Sequence, residues 1–245
     1  MDEKEKHTDA TSRLELGEVM KFPTSCSSCQ APAELAMHVT TIPHFKEVIL
    51  MCMVCSSCGY RTNEIKGGGG ISESGSKIIL QVRGREDLDR EVVKSDTAGI
   101  TIPELELELQ EGGLNGFYTT VEGLIEKIHD QLERANPFAS GDNARELNST
   151  YSKHERYKAL LRQLKLFAQG EQLPFSLVIT DPLANSFVGP RPQDTQTHQH
   201  KAASHDSFDD PGVTILKIQR TFDQNEALSL NDIRVGSEDD YSEVK

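Results

Sequence analysis

Two Cys-x-x-Cys pairs, Cys26-Ser-Ser-Cys29 and Cys55-Ser-Ser-Cys58, constrain this chain more than any other feature. Zinc takes four ligands in a tetrahedron, and thiolates satisfy it at about 2.3 Å. Each pair presents two sulfurs on one side of an ion, so residues 30–54 must travel out and return to deliver the second pair. A β-hairpin over residues 35–53 does this. Gly59 follows the second pair and is predicted to take the left-handed conformation that turns backbone amides toward sulfur. A disulfide framework needs an oxidising compartment, which nothing in the sequence suggests. A thioredoxin-like motif needs one such pair beside a βαβ unit, not two matched pairs. Cys52 sits in the apolar run 48–54 and reads as a small buried core residue, not a fifth ligand. Four thiolates leave zinc no open position for water or substrate. The metal is therefore expected to organise a fold, and no catalytic residue is predicted.

Length and charge narrow the function classes. A chain of 245 residues holds one or two domains. Its hydrophobic fraction of 36% is low for a fully packed globule, which predicts that part of the length is disordered. The net charge of −13 opposes phosphate backbones at long range and argues against nucleic acid as the main ligand. The sequence holds no run of about 18 apolar residues, so no membrane span is expected. The polar, charged first 18 residues lack the apolar core of a signal peptide. Reduced paired cysteines without an export signal point to the cytoplasm or nucleus.

Residues 1–21 read as a solvated leader and residues 22–66 as the zinc ribbon. Gly67-Gly68-Gly69-Gly70 breaks the pattern. The following Gly70-Ile-Ser-Glu-Ser-Gly75-Ser76-Lys77 resembles a phosphate-binding loop but has Gly-Ser-Lys where Gly-Lys-Ser/Thr is required. Residues 67–188 carry β signals interrupted by helices. Residues 77–82 form a branched-residue strand. Residues 100–102 and 105–109 alternate strictly, and their parity shift across Pro103-Glu104 predicts a bulge or bend. Glu104, Glu106 and Glu108 read as the wet side of that strand. Thr119-Thr-Val-Glu122 is a capping box opening a helix. A second amphipathic helix over residues 144–168 ends at Gly170. The pair predicts a helical hairpin over about 119–170. Strand character returns at residues 174–180, with a last short strand at 186–188. Residues 189–211 read as a disordered linker, and His198-Gln-His200 within it as solvated. Residues 212–245 form a partly ordered tail. In it, residues 215–228 suit either a strand packing back or a docking motif, and Arg220, Thr221, Phe222 and Asp223 are the candidate partner contacts.

These motifs carry a family resemblance. Phe22-Pro-Thr-Ser-Cys-Ser-Ser-Cys, Ile42-Pro-His-Phe-Lys-Glu-Val and Cys55-Ser-Ser-Cys-Gly-Tyr-Arg-Thr-Asn-Glu64 resemble the eukaryotic ZPR zinc-finger proteins. So do Ile102-Pro-Glu-Leu-Glu-Leu-Glu-Leu109, Phe117-Tyr-Thr-Thr-Val-Glu-Gly-Leu124, Asp181-Pro-Leu-Ala-Asn-Ser186 and Arg220-Thr-Phe-Asp-Gln-Asn-Glu226. The resemblance covers residues 22–232. Full eukaryotic members carry two tandem modules, and this chain resembles the second, C-terminal one; a natural single-module protein is the alternative. The resemblance implies an α+β, mainly β fold: a four-cysteine zinc ribbon followed by a double-stranded β-helix, jelly-roll-like, with an inserted helical hairpin. It implies Cys26, Cys29, Cys55 and Cys58 as ligands of one structural Zn2+. It also implies a non-enzymatic chaperone that engages the GTPase translation elongation factor 1A and assists its folding. Receptor tyrosine kinase tails and the survival-of-motor-neuron complex are further implied partners, with shuttling between cytoplasm and nucleus.

Two other function classes compete. A nucleic-acid-binding ribbon would use Lys46, Arg61 and Lys66, against the surplus of negative charge. An iron oxygenase would need two histidines and a carboxylate converging on open metal positions. His38, His44, His129 and His154 are scattered along the sequence.

Overall fold

The computed structural model of the chain describes residues 19–42, 47–68, 70–135, 148–192 and 210–231. Its first unit is a four-stranded antiparallel sheet in the order β1-β2-β3-β4, with β1 Val19–Ser25, β2 Pro32–Thr41, β3 Glu47–Val54 and β4 Arg61–Gly67. Leu35 faces Met53 across the β2–β3 pair, so the out-and-back stretch between the cysteine pairs is the expected hairpin. β1 begins three residues inside the stretch read as leader. Met20 and Phe22 stand opposite Met37 and Leu35, and this cross-strand apolar pairing extends the sheet to Val19. Cys52 is exposed, not buried. It shares a face with Val48, Leu50 and Val54; Val48 and Leu50 pack against the small core with Val93 and Phe187, whereas the end of the strand at Cys52 and Val54 stays open. A sheet this small cannot cover both its faces along their whole length.

The second unit is the jelly-roll domain. A five-stranded sheet runs in the order β12-β5-β10-β7-β8 and a three-stranded sheet in the order β11-β6-β9. The five strands are β5 Gly75–Val82, β7 Gly99–Ile102, β8 Leu107–Leu109, β10 Phe175–Asp181 and β12 Val213–Ile218. The three are β6 Glu91–Lys94, β9 Phe117–Thr120 and β11 Phe187–Val188. Every pairing is antiparallel. Gly75, Ser76 and Lys77 begin β5, so the near phosphate-loop motif lies in a strand and not before a helix.

Helix α1 spans Val121–Ala135 and α2 spans Asn148–Ala168, and the two pack together as the helical hairpin. Residues 136–147, which include the predicted connection and the start predicted for α2 at 144, lie outside the described residues. The Tyr157 hydroxyl donates to the Leu132 carbonyl and ties the two helices. The core gathers Ile78, Leu80, Ile100 and Leu177 from one sheet, Val92, Phe117 and Val188 from the other, and Leu124, Ile128, Leu164 and Phe167 from the helices. Each such side chain contributes about 1.5–3 kcal/mol on burial. Phe167 stacks on Phe175 at 4.4 Å between centroids, joining α2 to the central strand β10.

Two local features differ from expectation, and a third reading left open is decided. The alternating segments at 100–102 and 105–109 are not one bent strand. They are two strands of a tight reversal, with Ile100 opposite Leu109 and Ile102 opposite Leu107. Pro103–Leu105 forms a 3-10 turn, and Glu106 takes φ 48° to complete the reversal. The parity shift arises from this turn. Glu104, Glu106 and Glu108 are exposed, and Glu104 Oε1 also accepts the Ser176 amide at 2.9 Å. At the start of α1 the capping hydroxyl belongs to Thr120, which accepts the Gly123 amide at 3.2 Å, one residue along from the predicted box. The tail segment becomes β12 on the edge of β5, with Ile215 opposite Ile78, followed by the short helix α3 Phe222–Ala227.

Residues 193–209, most of the predicted linker and including His198 and His200, lie outside the described residues, as do residues 1–18 and 232–245. The flanks of 193–209 are held together by charge. Buried Arg90 donates to Asp87 at 2.8 Å, to Asp210 at 2.5 Å and to the Gly189 carbonyl at 3.0 Å. Arg191 makes a two-point contact with Asp87 at 2.7 and 3.0 Å. Asp87 is desolvated, which alone would raise its pKa. Arg191, the Arg83 amide, Arg90 and the Gly84 amide outweigh that and hold the carboxyl well below the usual range.

The two units are docked. The Ile65 amide donates to the Gly116 carbonyl at 3.0 Å, and Ile42, Val48, Ile65, Val93 and Phe187 form a small shared core. Gly116 is required there, because a Cβ would stand 2.3 Å from the Ile65 carbonyl oxygen.

Candidate metal centre

The four cysteines come together at the end of the ribbon sheet, two from the turn after β1 and two from the turn after β3. The turns are built alike. The Cys26 amide donates to the Ala31 carbonyl at 2.9 Å and the Gln30 amide to the Cys26 carbonyl at 2.9 Å. In the second turn, Cys55 pairs with Tyr60 at 2.8 Å and Gly59 with Cys55 at 2.9 Å. Gly59 takes φ 73°, as its position predicted, and Gln30 takes φ 60° at the equivalent place. The Gln30 conformation was not visible in its residue type. Only the symmetry of the two turns could have pointed to it.

All four sulfurs lie within 4.8 Å of one another. Cys26 and Cys58 sulfurs are 3.7 Å apart, and Cys29 and Cys55 sulfurs 3.6 Å. A regular tetrahedron with metal–sulfur distances of about 2.3 Å has edges of about 3.8 Å, so these separations fit zinc. A disulfide would bring two sulfurs to about 2.05 Å. Cys26 and Cys55 are buried, whereas Cys29 and Cys58 face solvent. The Cys55 thiol is lowered to about 6, first by the Cys58 amide pointing at its sulfur, then against burial by the Ser57 amide and neighbouring thiols. The Cys29 thiol is drawn down by the Ala31 amide, but its contacts with Cys58, burial and the remaining sulfurs raise it to about 12. Four crowded sulfurs cannot all ionise without a cation, and a divalent ion removes that obstacle. The donor set is closed, soft and tetrahedral, which suits structural zinc.

Cys52 lies outside this cluster. Of the histidines weighed for an iron site, His38 is on β2 and His129 on α1; His44 and the side chain of His154 lie outside the described residues. His129, Asp130 and Glu133 are neighbours on one turn of α1.

The candidate contacts in the tail divide in two. Arg220 is spent internally: it donates to the carbonyls of Ser72 (2.7 Å), Pro182 (3.1 Å) and Glu73 (3.0 Å) and to Asn225 Oδ1 (2.9 Å). Thr221 caps α3, its hydroxyl accepting the Gln224 amide at 3.1 Å. Phe222 is 72% exposed and Asp223 is exposed beside it. The motif at 181–186 also works internally. Buried Asp181 accepts from Ser95 Oγ, Thr97 Oγ1, Ser186 Oγ and the amides of Leu183 and Asn185, all within 3.0 Å.

Comparison with known proteins bears on both units. A family model for the ZPR1 zinc-finger domain matches residues 18–73, and one for the ZPR1 jelly-roll domain matches residues 86–230. The chain is 40% identical to a zinc finger protein ZPR1 of Drosophila melanogaster over 220 residues, which is 89% of this chain and 43% of the relative. It is 37% identical to the Homo sapiens ZPR1 over 217 residues, 89% of the chain and 43% of the relative. It is also 37% identical over 229 residues to a Schizosaccharomyces pombe protein named zinc finger chaperone zpr1, covering 94% of the chain and 46% of that protein. The chain thus spans less than half the length of these relatives.

Proposed function

The chain belongs to the ZPR1 zinc-finger family, and from that premise we propose that it is a non-enzymatic binding module that assists the folding of translation elongation factor 1A. The observation that carries this reading is the closed four-sulfur cluster at the tip of a ribbon that shares a small core with a β domain. One zinc ion held there by Cys26, Cys29, Cys55 and Cys58 would shape a surface and offer no open coordination position. The fission yeast relative's name, a zinc finger chaperone, supports the chaperone reading. The partner comes from the resemblance in the motifs. An acidic chain of net charge −13 suits encounter with a basic client. Phe222 is the contact in the tail best placed for a partner, because Arg220 and Thr221 are already committed within the fold.

The chain corresponds to one ribbon-plus-jelly-roll unit of a two-unit architecture, and we assign it to the second unit on its motifs. Binding is expected of this unit, and full folding assistance of the two-unit protein, acting in cytoplasm and nucleus. The test is capture of newly synthesised elongation factor 1A by the zinc-loaded chain at moderate salt, alongside the two-unit protein. Retention that is lost on Cys55→Ser supports the reading. Failure of both the single unit and the two-unit protein to retain the factor refutes it.

A further inference from the structure

A cleft of about 750 Å3 opens between the ribbon and the helical hairpin. Arg61 of β4 lies on one wall, and Lys127, Asp130 and Arg134 of α1 on the other. The walls are well anchored. Arg61 opens β4 opposite Val54, next to Tyr60, whose carbonyl accepts the Cys55 amide of the second cysteine turn. The Lys127 ammonium rests 4.3 Å above the Phe117 ring. Gln131 fixes the floor by donating to the Gly113 carbonyl at 2.7 Å. Among the described residues, neither Arg61, Lys127 nor Arg134 is in a salt bridge with a carboxylate. A chain of net charge −13 thus places three cations with no salt-bridge partner among the described residues, and one anion, around a single cleft.

We propose that this cleft binds an acidic peptide segment carrying two carboxylates three residues apart. Lys127 and Arg134 are two turns apart on one face of α1, a spacing of about 10.5 Å. A single phosphate reaches both only where the two long side chains converge on it, which is why pyrophosphate serves as the competitor in the test. An extended segment in the polyproline II conformation repeats its face every three residues, about 9.3 Å, and so sets carboxylates at i and i+3 against both cations. Asp130 lies between the two and repels a third negative charge, which selects a neutral pair of residues between the acidic ones. Arg61 approaches from the ribbon and encloses the segment. The inference does not depend on the chaperone reading, because it uses only the cleft's charges and spacing.

The test is fluorescence anisotropy with the full zinc-loaded chain and a fluorescein-labelled peptide Gly-Glu-Gln-Ser-Glu-Gly. An isomer with adjacent glutamates, Gly-Gln-Glu-Glu-Ser-Gly, is the comparison, and inorganic pyrophosphate the competitor. The spaced peptide should bind at low ionic strength and weaken as salt rises. Lys127→Glu and Arg134→Glu should each weaken it roughly tenfold or more. Both side chains are exposed, and Lys127→Glu gives up only the contact with the Phe117 ring, so the variants should stay folded and melt within a few degrees of the parent; Lys127→Gln, a milder change, should show a smaller loss in the same direction. No binding of the spaced peptide, or unchanged binding by the double charge reversal, overturns the proposal. So does equal affinity for the adjacent isomer, or displacement by pyrophosphate at concentrations below the peptide's own Kd.

Discussion

Substituting Gly116 by alanine should pry the ribbon from the jelly-roll domain. A Cβ there would lie 2.3 Å from the Ile65 carbonyl oxygen and 3.1 Å from the Asp96 amide nitrogen, both backbone atoms. Ordinary contact requires about 1 Å of added separation, and no side-chain rotation can supply it. That movement strains the Ile65–Gly116 hydrogen bond, now 3.0 Å, worth about 1 kcal/mol. Forcing a methyl group into a filled junction adds about 1–3 kcal/mol. The sum, about 2–4 kcal/mol, corresponds to a fall in Tm of roughly 5–15 °C for a domain of this size. Thermal melting with amide exchange at Ile65 measures both parts, and Gly70→Ala, where a Cβ meets nothing within 4 Å, is the control. An unchanged Tm together with an unchanged exchange rate at Ile65 would refute the docked arrangement.

Asp87→Asn should destabilise the fold by about 3–5 kcal/mol at neutral pH, because it weakens the compensation of Arg90 within the buried network and of Arg191 at its edge. The Asp87 carboxyl is held below its usual range, so its stabilisation is complete above the ordinary aspartate pKa of about 3.9 and fades as pH falls below it; urea melts of parent and variant should therefore converge in acid. Arg220→Ala should free the segment around α3 by removing donors to three backbone carbonyls, read as faster proteolysis after Leu216 with strands β5 and β10 still protected. Phe222→Ala should leave Tm within about 1 °C, since the ring is 72% exposed, and should weaken capture of elongation factor 1A.

Legibility followed the range of the forces involved. The metal site and its hairpin were readable because four ligands of one ion impose fixed spacing, and because residues 35–53 had to return. Strand segments on either side of two amphipathic helices were readable from the residues, but their closure into a jelly roll came only with the family resemblance. The charge network was not: Asp87 is 104 residues from Arg191, and Arg90 is 120 from Asp210, so no local pattern joins them. The reversal at Glu106 was hidden because a glutamate occupies a left-handed position that usually marks glycine or asparagine. Cys52 misled because an apolar run suggests burial, whereas a small sheet leaves part of a face open. Arg220 and Thr221 were legible as a distinctive motif, but the motif serves the fold.

Zinc content measured together with amide exchange on the same sample tests the central claim most directly. One zinc per chain is expected, and its removal by a chelator should abolish protection across residues 35–54 while strands β5 and β10 stay protected. Purified chain without stoichiometric zinc that still protects residues 35–54 would contradict a metal-organised ribbon.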